Sequence, residues 1–145
     1  MKSSKRQRLI SFLCVFLVTI ISVGSITAMA SSKYGIATIK ANSATTTIGD
    51  VKKEDSTDKR SGMIAQRSYG QKTNYFCYIW VKDTTKSKVL SDKKLILVTS
   101  SNSTHNINYK SGVSTSKGDT IRFYGSQASA QTKGLSYAIS GDKIS

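Results

Sequence analysis

Proline is absent from the chain, cysteine occurs twice, histidine and tryptophan once each, and only 8 acidic residues stand against 22 lysines and arginines. Each scarcity excludes something. Of the two cysteines, Cys14 lies in an apolar leader, so the exported part keeps Cys77 alone and can close no internal disulfide, although export normally permits one. With one histidine and one exported cysteine, a zinc site would need carboxylate ligands almost alone. The only acidic cluster, Glu54, Asp55 and Asp58, sits among lysines, so no metal is expected. No Gly-x-Ser-x-Gly elbow and no glycine-rich phosphate loop occurs. The sequence therefore nominates no catalytic residue and no cofactor, and a non-enzymatic protein is expected. Beyond the leader no stretch keeps a helical period.

The leader itself is explicit. Lys2, Lys5, Arg6 and Arg8 precede an apolar run from Leu9 to Val23, and Ala28-Met29-Ala30 supplies the small-x-small pattern that a signal peptidase pocket admits. A signal peptide over residues 1–30, cleaved after Ala30, is expected, with a secreted domain over residues 31–145. The alternative is an uncleaved N-terminal membrane anchor, since Leu9 to Ala30 is long enough to span a bilayer. Ser11, Phe12 and Leu13 before Cys14 do not form a lipobox, which argues against a lipoprotein. Removing the four cations of the n-region lowers the formal charge from +14 to +10, still strongly basic for one small domain.

What remains reads as β structure. The densest apolar run, Tyr75 to Val81, contains only aromatic, β-branched and thiol side chains and suits a central strand buried on both faces. Its two sets are Tyr75, Cys77, Ile79 and Val81, and Phe76, Tyr78 and Trp80. Lys94 to Thr99 has a similar apolar centre and the same expected double burial. Further strands are expected at Tyr34–Ile39, Thr45–Val51, Met63–Tyr69, Lys88–Leu90, Asn106–Lys110, Thr120–Tyr124 and Leu135–Ile139. Ser100 to His105 reads as a polar turn, and Lys52 to Arg60 as a mixed-charge, mobile loop. Tyr-Gly pairs at Tyr34-Gly35, Tyr69-Gly70 and Tyr124-Gly125 read as strand-end punctuation. Together these predict a single all-β domain, an antiparallel β-sandwich of about seven to nine short strands, rather than a barrel.

Individual candidates give bland readings. Cys77, mid-strand among aromatics, reads as an inert core thiol. His105 reads as a solvated loop residue, its functional alternative being a general base in a nuclease-like site with Glu54 and Arg122. Trp80 reads as core rather than as a ligand platform. The exception is the group Lys82, Lys86, Lys88, Lys93 and Lys94, accompanied only by Asp83 and Asp92. It reads either as protection of a sheet edge or as a binding site for an anionic envelope polymer or membrane surface. Nucleic acid is disfavoured, because the chain is exported and its aromatics are expected inside.

Gln66-Arg-Ser-Tyr-Gly-Gln-Lys-Thr-Asn74 and the glycine-spaced stretch from Ser111-Gly-Val to Tyr124 resemble small secreted β-proteins of Gram-positive bacteria, including those near lactococcin-972-type bacteriocins. The resemblance covers about two thirds of the exported part. Tyr75-Phe76-Cys77 stands where those proteins often carry Asn-Pro-Trp. The resemblance implies a bacteriocin-like or cell-envelope role and carries over no catalytic residue. The leading expectation is thus a secreted, basic, non-enzymatic effector or binding module at the envelope. A structural or adhesive surface protein, and a small secreted hydrolase or nuclease, are the alternatives. The C-terminal Gly141-Asp-Lys-Ile-Ser145 is no wall-sorting tail, so no covalent anchor is expected.

Overall fold

The computed structural model describes residues 32–55, 58–69 and 74–142, with residues 64–69 described by their backbone alone. The expected signal peptide, its cleavage site and the alternative anchor lie outside the described residues. Nine strands are present among those described: β1 (Ser32–Ile39), β2 (Thr46–Lys52), β3 (Arg60–Tyr69), β4 (Tyr75–Asp83), β5 (Lys88–Val89), β6 (Lys94–Val98), β7 (Ser103–Asn108), β8 (Thr120–Ser126) and β9 (Lys133–Ser140). They form two antiparallel sheets. One runs β1-β9-β3-β7; the other runs β2-β8-β4-β5, with β6 also pairing β4.

The all-β sandwich is therefore observed, and the strand beginning at Tyr75 is central in its sheet. The inward sets of the two sheets meet in one core. Tyr75, Cys77, Ile79, Val81, Ile96, Val98, Ile121 and Phe123 come from the second sheet, and Ile39, Met63, Ile107, Leu135, Tyr137 and Ile139 from the first. Alternation decides which residues enter, because successive side chains point to opposite faces. Ile121 and Phe123 face inward with Arg122 and Tyr124 outward, as the sequence predicts.

Double burial of the two apolar strands is not observed. In β4 only Tyr75, Cys77, Ile79, Val81 and Asp83 are buried, and in β6 only Ile96 and Val98. Each sheet of a two-layer sandwich has a single inner face, and among the described residues no third layer covers the second sheet from outside. The opposite parities, Phe76, Tyr78, Leu95 and Leu97, are consequently exposed.

Three further expectations are corrected. His105 does not lie in a turn: β7 begins at Ser103, and His105 pairs with Met63 of β3. Gly35 lies in the middle of β1, not at its end, while Tyr124-Gly125 stands near the end of β8 as expected; both glycines are closely packed. A Cβ on Gly35 would meet the Tyr137 hydroxyl at 2.7 Å, and one on Gly125 would meet Ile39 Cδ1 at 2.9 Å and Ile48 Cδ1 at 3.2 Å.

The third correction concerns the start of the mixed-charge loop, which is anchored. Lys53 is fully buried, its Nζ 2.9 Å from Asp142 Oδ1, and Asp142 also accepts the backbone N–H groups of Glu54 (3.1 Å) and Asp55 (2.9 Å). A charged run reads as solvated, but here one of its lysines closes the sandwich. It ties the chain after β2 of one sheet to the chain after β9 of the other. Gly141 makes the approach possible, since a Cβ there would strike the Lys52 carbonyl.

Candidate aromatic and cationic face

The outer face of the second sheet is built by strand pairing. Across β4 and β6, Phe76 stands opposite Leu97 and Tyr78 opposite Leu95. Across β4 and β8, Trp80 stands opposite Tyr124 and Lys82 opposite Arg122; β2 then places Asp50 opposite Arg122. Directly opposed residues share a face, so the registers create one surface that is apolar at the Phe76 end and charged at the Lys82 end.

At the apolar end Phe76 is 61 % exposed, Leu95 49 %, and Tyr78 and Leu97 each 41 %. A groove of about 320 Å³ runs between Phe76, Tyr78 and Leu95 and the segment Gln127–Ser129. In the middle, the Trp80 and Tyr124 rings stack with centroids 5.6 Å apart and planes 14° from parallel. Lys93 Nζ lies 4.8 Å from the Trp80 centroid, close enough for a cation–π attraction. At the charged end Arg122 grips Asp50 with two hydrogen bonds, Nε to Oδ1 at 2.6 Å and Nη2 to Oδ2 at 2.7 Å. The hydrogen bond from Arg122 holds the Asp50 carboxyl below its ordinary pKa.

The five lysines singled out by sequence are dispersed over this region. Lys82 is half-buried on the outer face, beside Arg122. Lys86 Nζ is engaged by Asp119 Oδ2 at 2.6 Å and Ser116 Oγ at 2.9 Å. Lys88 is exposed on the short β5. Lys93 caps Trp80, and Lys94 Nζ reaches the Asn106 carbonyl at 2.9 Å. Their partners differ: Lys82 and Lys93 join the aromatic face, and Lys94 leans toward β7.

No family profile, curated protein or solved structure matches the chain.

The nuclease-like trio is not assembled. Arg122 lies on β8 paired to Asp50, His105 lies on β7 in the other sheet, and the Glu54 backbone is fixed to Asp142. Among the described residues, no three His, Cys, Asp or Glu side chains group as metal ligands. Trp80 departs from the core reading: it is half-buried on the outer face, part of a ring platform. The signal for this face was present in the sequence, since a strand apolar at both parities must expose one set once only two layers exist.

Cys77 is buried, and desolvation pushes its thiol up to about 12. Native protein at pH 8 is therefore expected to resist a disulfide reagent and to react fully once denatured; rapid native labelling would contradict the packing. His105 is depressed below its ordinary value, first by burial and then by the Lys94 charge. A group whose folded pKa is lowered contributes stability above its unfolded pKa of about 6.5 and loses it as pH falls through the folded value. Lys94→Gln should raise the His105 pKa without restoring it fully, as followed by NMR of the ring protons. An unchanged titration would show that Lys94 does not act on it.

Proposed function

We propose that the protein is a secreted, non-enzymatic binding module that adsorbs to an anionic membrane surface of the Gram-positive envelope through the outer face of its second sheet. The observation that carries this reading is the exposed set Phe76, Tyr78, Leu95 and Leu97, continuous with the Trp80–Tyr124 stack and Lys93. Exposed apolar patches rimmed by polar groups mark interaction surfaces. Aromatic rings with a wet, polar edge and lysines with long apolar stems suit the boundary between headgroups and acyl chains.

The chemistry of the patch favours lipid over an anionic polymer. A polymer would use the lysines and the rings but would leave two leucines and Phe76 without an apolar partner, whereas an acyl boundary covers all three. The formal +10 of the exported part adds long-range attraction to anionic headgroups. A bacteriocin-like effect on other cells would be one use of such adsorption.

Co-sedimentation with vesicles tests the reading. Binding to vesicles of phosphatidylglycerol mixed with phosphatidylcholine is expected, and much weaker binding to phosphatidylcholine alone. Salt should weaken the electrostatic part, because screening at physiological ionic strength acts over about 8 Å, while an apolar part persists. No vesicle binding together with concentration-dependent dimerisation would assign the face to a second copy. Retention by isolated walls but not by vesicles would assign it to an envelope polymer.

A further inference from the structure

Beside the aromatic face, where the edge of β6 approaches the edge of β7, a cleft of about 310 Å³ is lined by Lys93, Lys94, Asn108, Tyr109, Lys110 and Asp92, among others. From its geometry we infer that this cleft is a phosphate site, taking the phosphate of an anionic phospholipid headgroup while the neighbouring apolar face meets the acyl boundary.

Charge is the first argument. Three lysines, Lys93, Lys94 and Lys110, line the cleft against one carboxylate, that of Asp92. Its side chain is 84 % exposed, and it touches Lys110 Nζ at 2.8 Å. An exposed pair of this kind contributes little and is readily exchanged for a stronger anion.

The second argument is what the lysines hold at present. Lys93 rests on a ring face, Lys94 donates to the single carbonyl of Asn106, and Lys110 holds the solvated Asp92. An ammonium has three donors. Charge-assisted bonds to phosphate oxygens are stronger than those to a neutral carbonyl, so a phosphate can recruit all three through their flexible stems. The exposed Asn108 amide is a further donor at the rim.

Position is the third argument. Lys93 belongs to both regions, over the Trp80 ring on the outer face and in the lining of the cleft. A phosphate in the cleft therefore lies one side chain away from the apolar patch, the arrangement of a lipid's headgroup and acyl root. A volume of about 310 Å³ is large enough for a glycerophosphate unit.

This inference rests on the membrane reading for the source of the phosphate, and the experiment separates the two. Trp80, the only tryptophan, reports Lys93: moving its ammonium from the ring to an anion should alter the emission. Inorganic phosphate, glycerol phosphate and dihexanoyl-phosphatidylglycerol below its micelle concentration are titrated against the exported form, with anionic vesicles as a fourth arm. A saturable Trp80 change is expected with all three soluble probes, strongest with the short-chain lipid. Lys94→Gln/Lys110→Gln should abolish it and weaken vesicle binding about 10- to 30-fold. Lys40→Gln/Lys133→Gln, which loses equal charge elsewhere, should do neither. Vesicle binding that both double variants weaken equally, with no saturable response to soluble probes, would overturn the cleft and leave the membrane reading standing. A saturable response to soluble phosphate in a protein that ignores vesicles would overturn the headgroup assignment and the membrane reading together.

Discussion

Asp142→Ala is expected to unfold about 3–5 kcal/mol more easily than the parent protein. The change leaves the Lys53 ammonium, fully buried, without its 2.9 Å partner, and it strips the acceptor from the Glu54 and Asp55 backbone N–H groups. Lys53 Nζ otherwise reaches the Arg60 carbonyl at 3.5 Å and lies 5.9 Å from the Tyr109 ring, neither of which carries a full negative charge. Domains of this size are stable by roughly 5–15 kcal/mol in total, so the loss is a large share, and the melting temperature should fall by roughly 10–25 °C. Lys53→Met should cost less. It removes the fully buried ammonium, and the Asp142 carboxylate it leaves, with a side chain 13 % exposed, keeps two backbone donors. Denaturant unfolding of both variants decides the matter. A loss under about 1 kcal/mol for Asp142→Ala, or a greater loss for Lys53→Met, would show that the pair does not close the sandwich.

The other large effect concerns adsorption. Replacing Phe76, Tyr78, Leu95 and Leu97 together by serine should weaken partition to anionic vesicles by roughly 100- to 5,000-fold. Complete burial of such a side chain contributes about 1.5–3 kcal/mol, and each is about half exposed, which leaves roughly 3–5 kcal/mol to gain at a membrane. Because these positions face solvent, the variant should keep most of its stability. Lys82→Gln/Lys93→Gln should weaken binding less, about 10- to 30-fold, and only at low salt. Equal losses for the apolar and cationic variants would indicate a purely electrostatic surface.

The fold was largely legible in the sequence because its two-residue periodicity is clear where polar residues fill the outward positions. Ile121 and Phe123 against Arg122 and Tyr124 show this, and so does the set Leu135, Tyr137 and Ile139, buried on one face of β9. The face proposed for function was legible as composition and not as geometry. Tyr75 to Val81 is apolar at both parities, a pattern that a doubly covered strand and a strand with an exposed greasy face share. Only the layer count separates them. Trp80 was placed in the core for the same reason. The Lys82 to Lys94 group was legible as charge, but which ammonium groups were already engaged depended on residues far along the chain, such as Asp119 with Lys86 and Asn106 with Lys94. Lys53 was invisible for the opposite reason. Its neighbours in sequence are charged, and its burial is set by Asp142, 89 positions on.

Depth-dependent quenching of Trp80 tests the central claim most directly, since it reports where the face sits and not only that the protein binds. Anionic vesicles carrying lipids brominated at successive acyl positions are mixed with a protein of residues 31–145, and emission is read at saturating lipid. Adsorption through the outer face of the second sheet predicts strong quenching by bromines near the acyl root, fading with depth, and its loss in the serine variant at Phe76, Tyr78, Leu95 and Leu97. Saturated binding with Trp80 unquenched at every bromine position would place that face away from the bilayer and contradict the account.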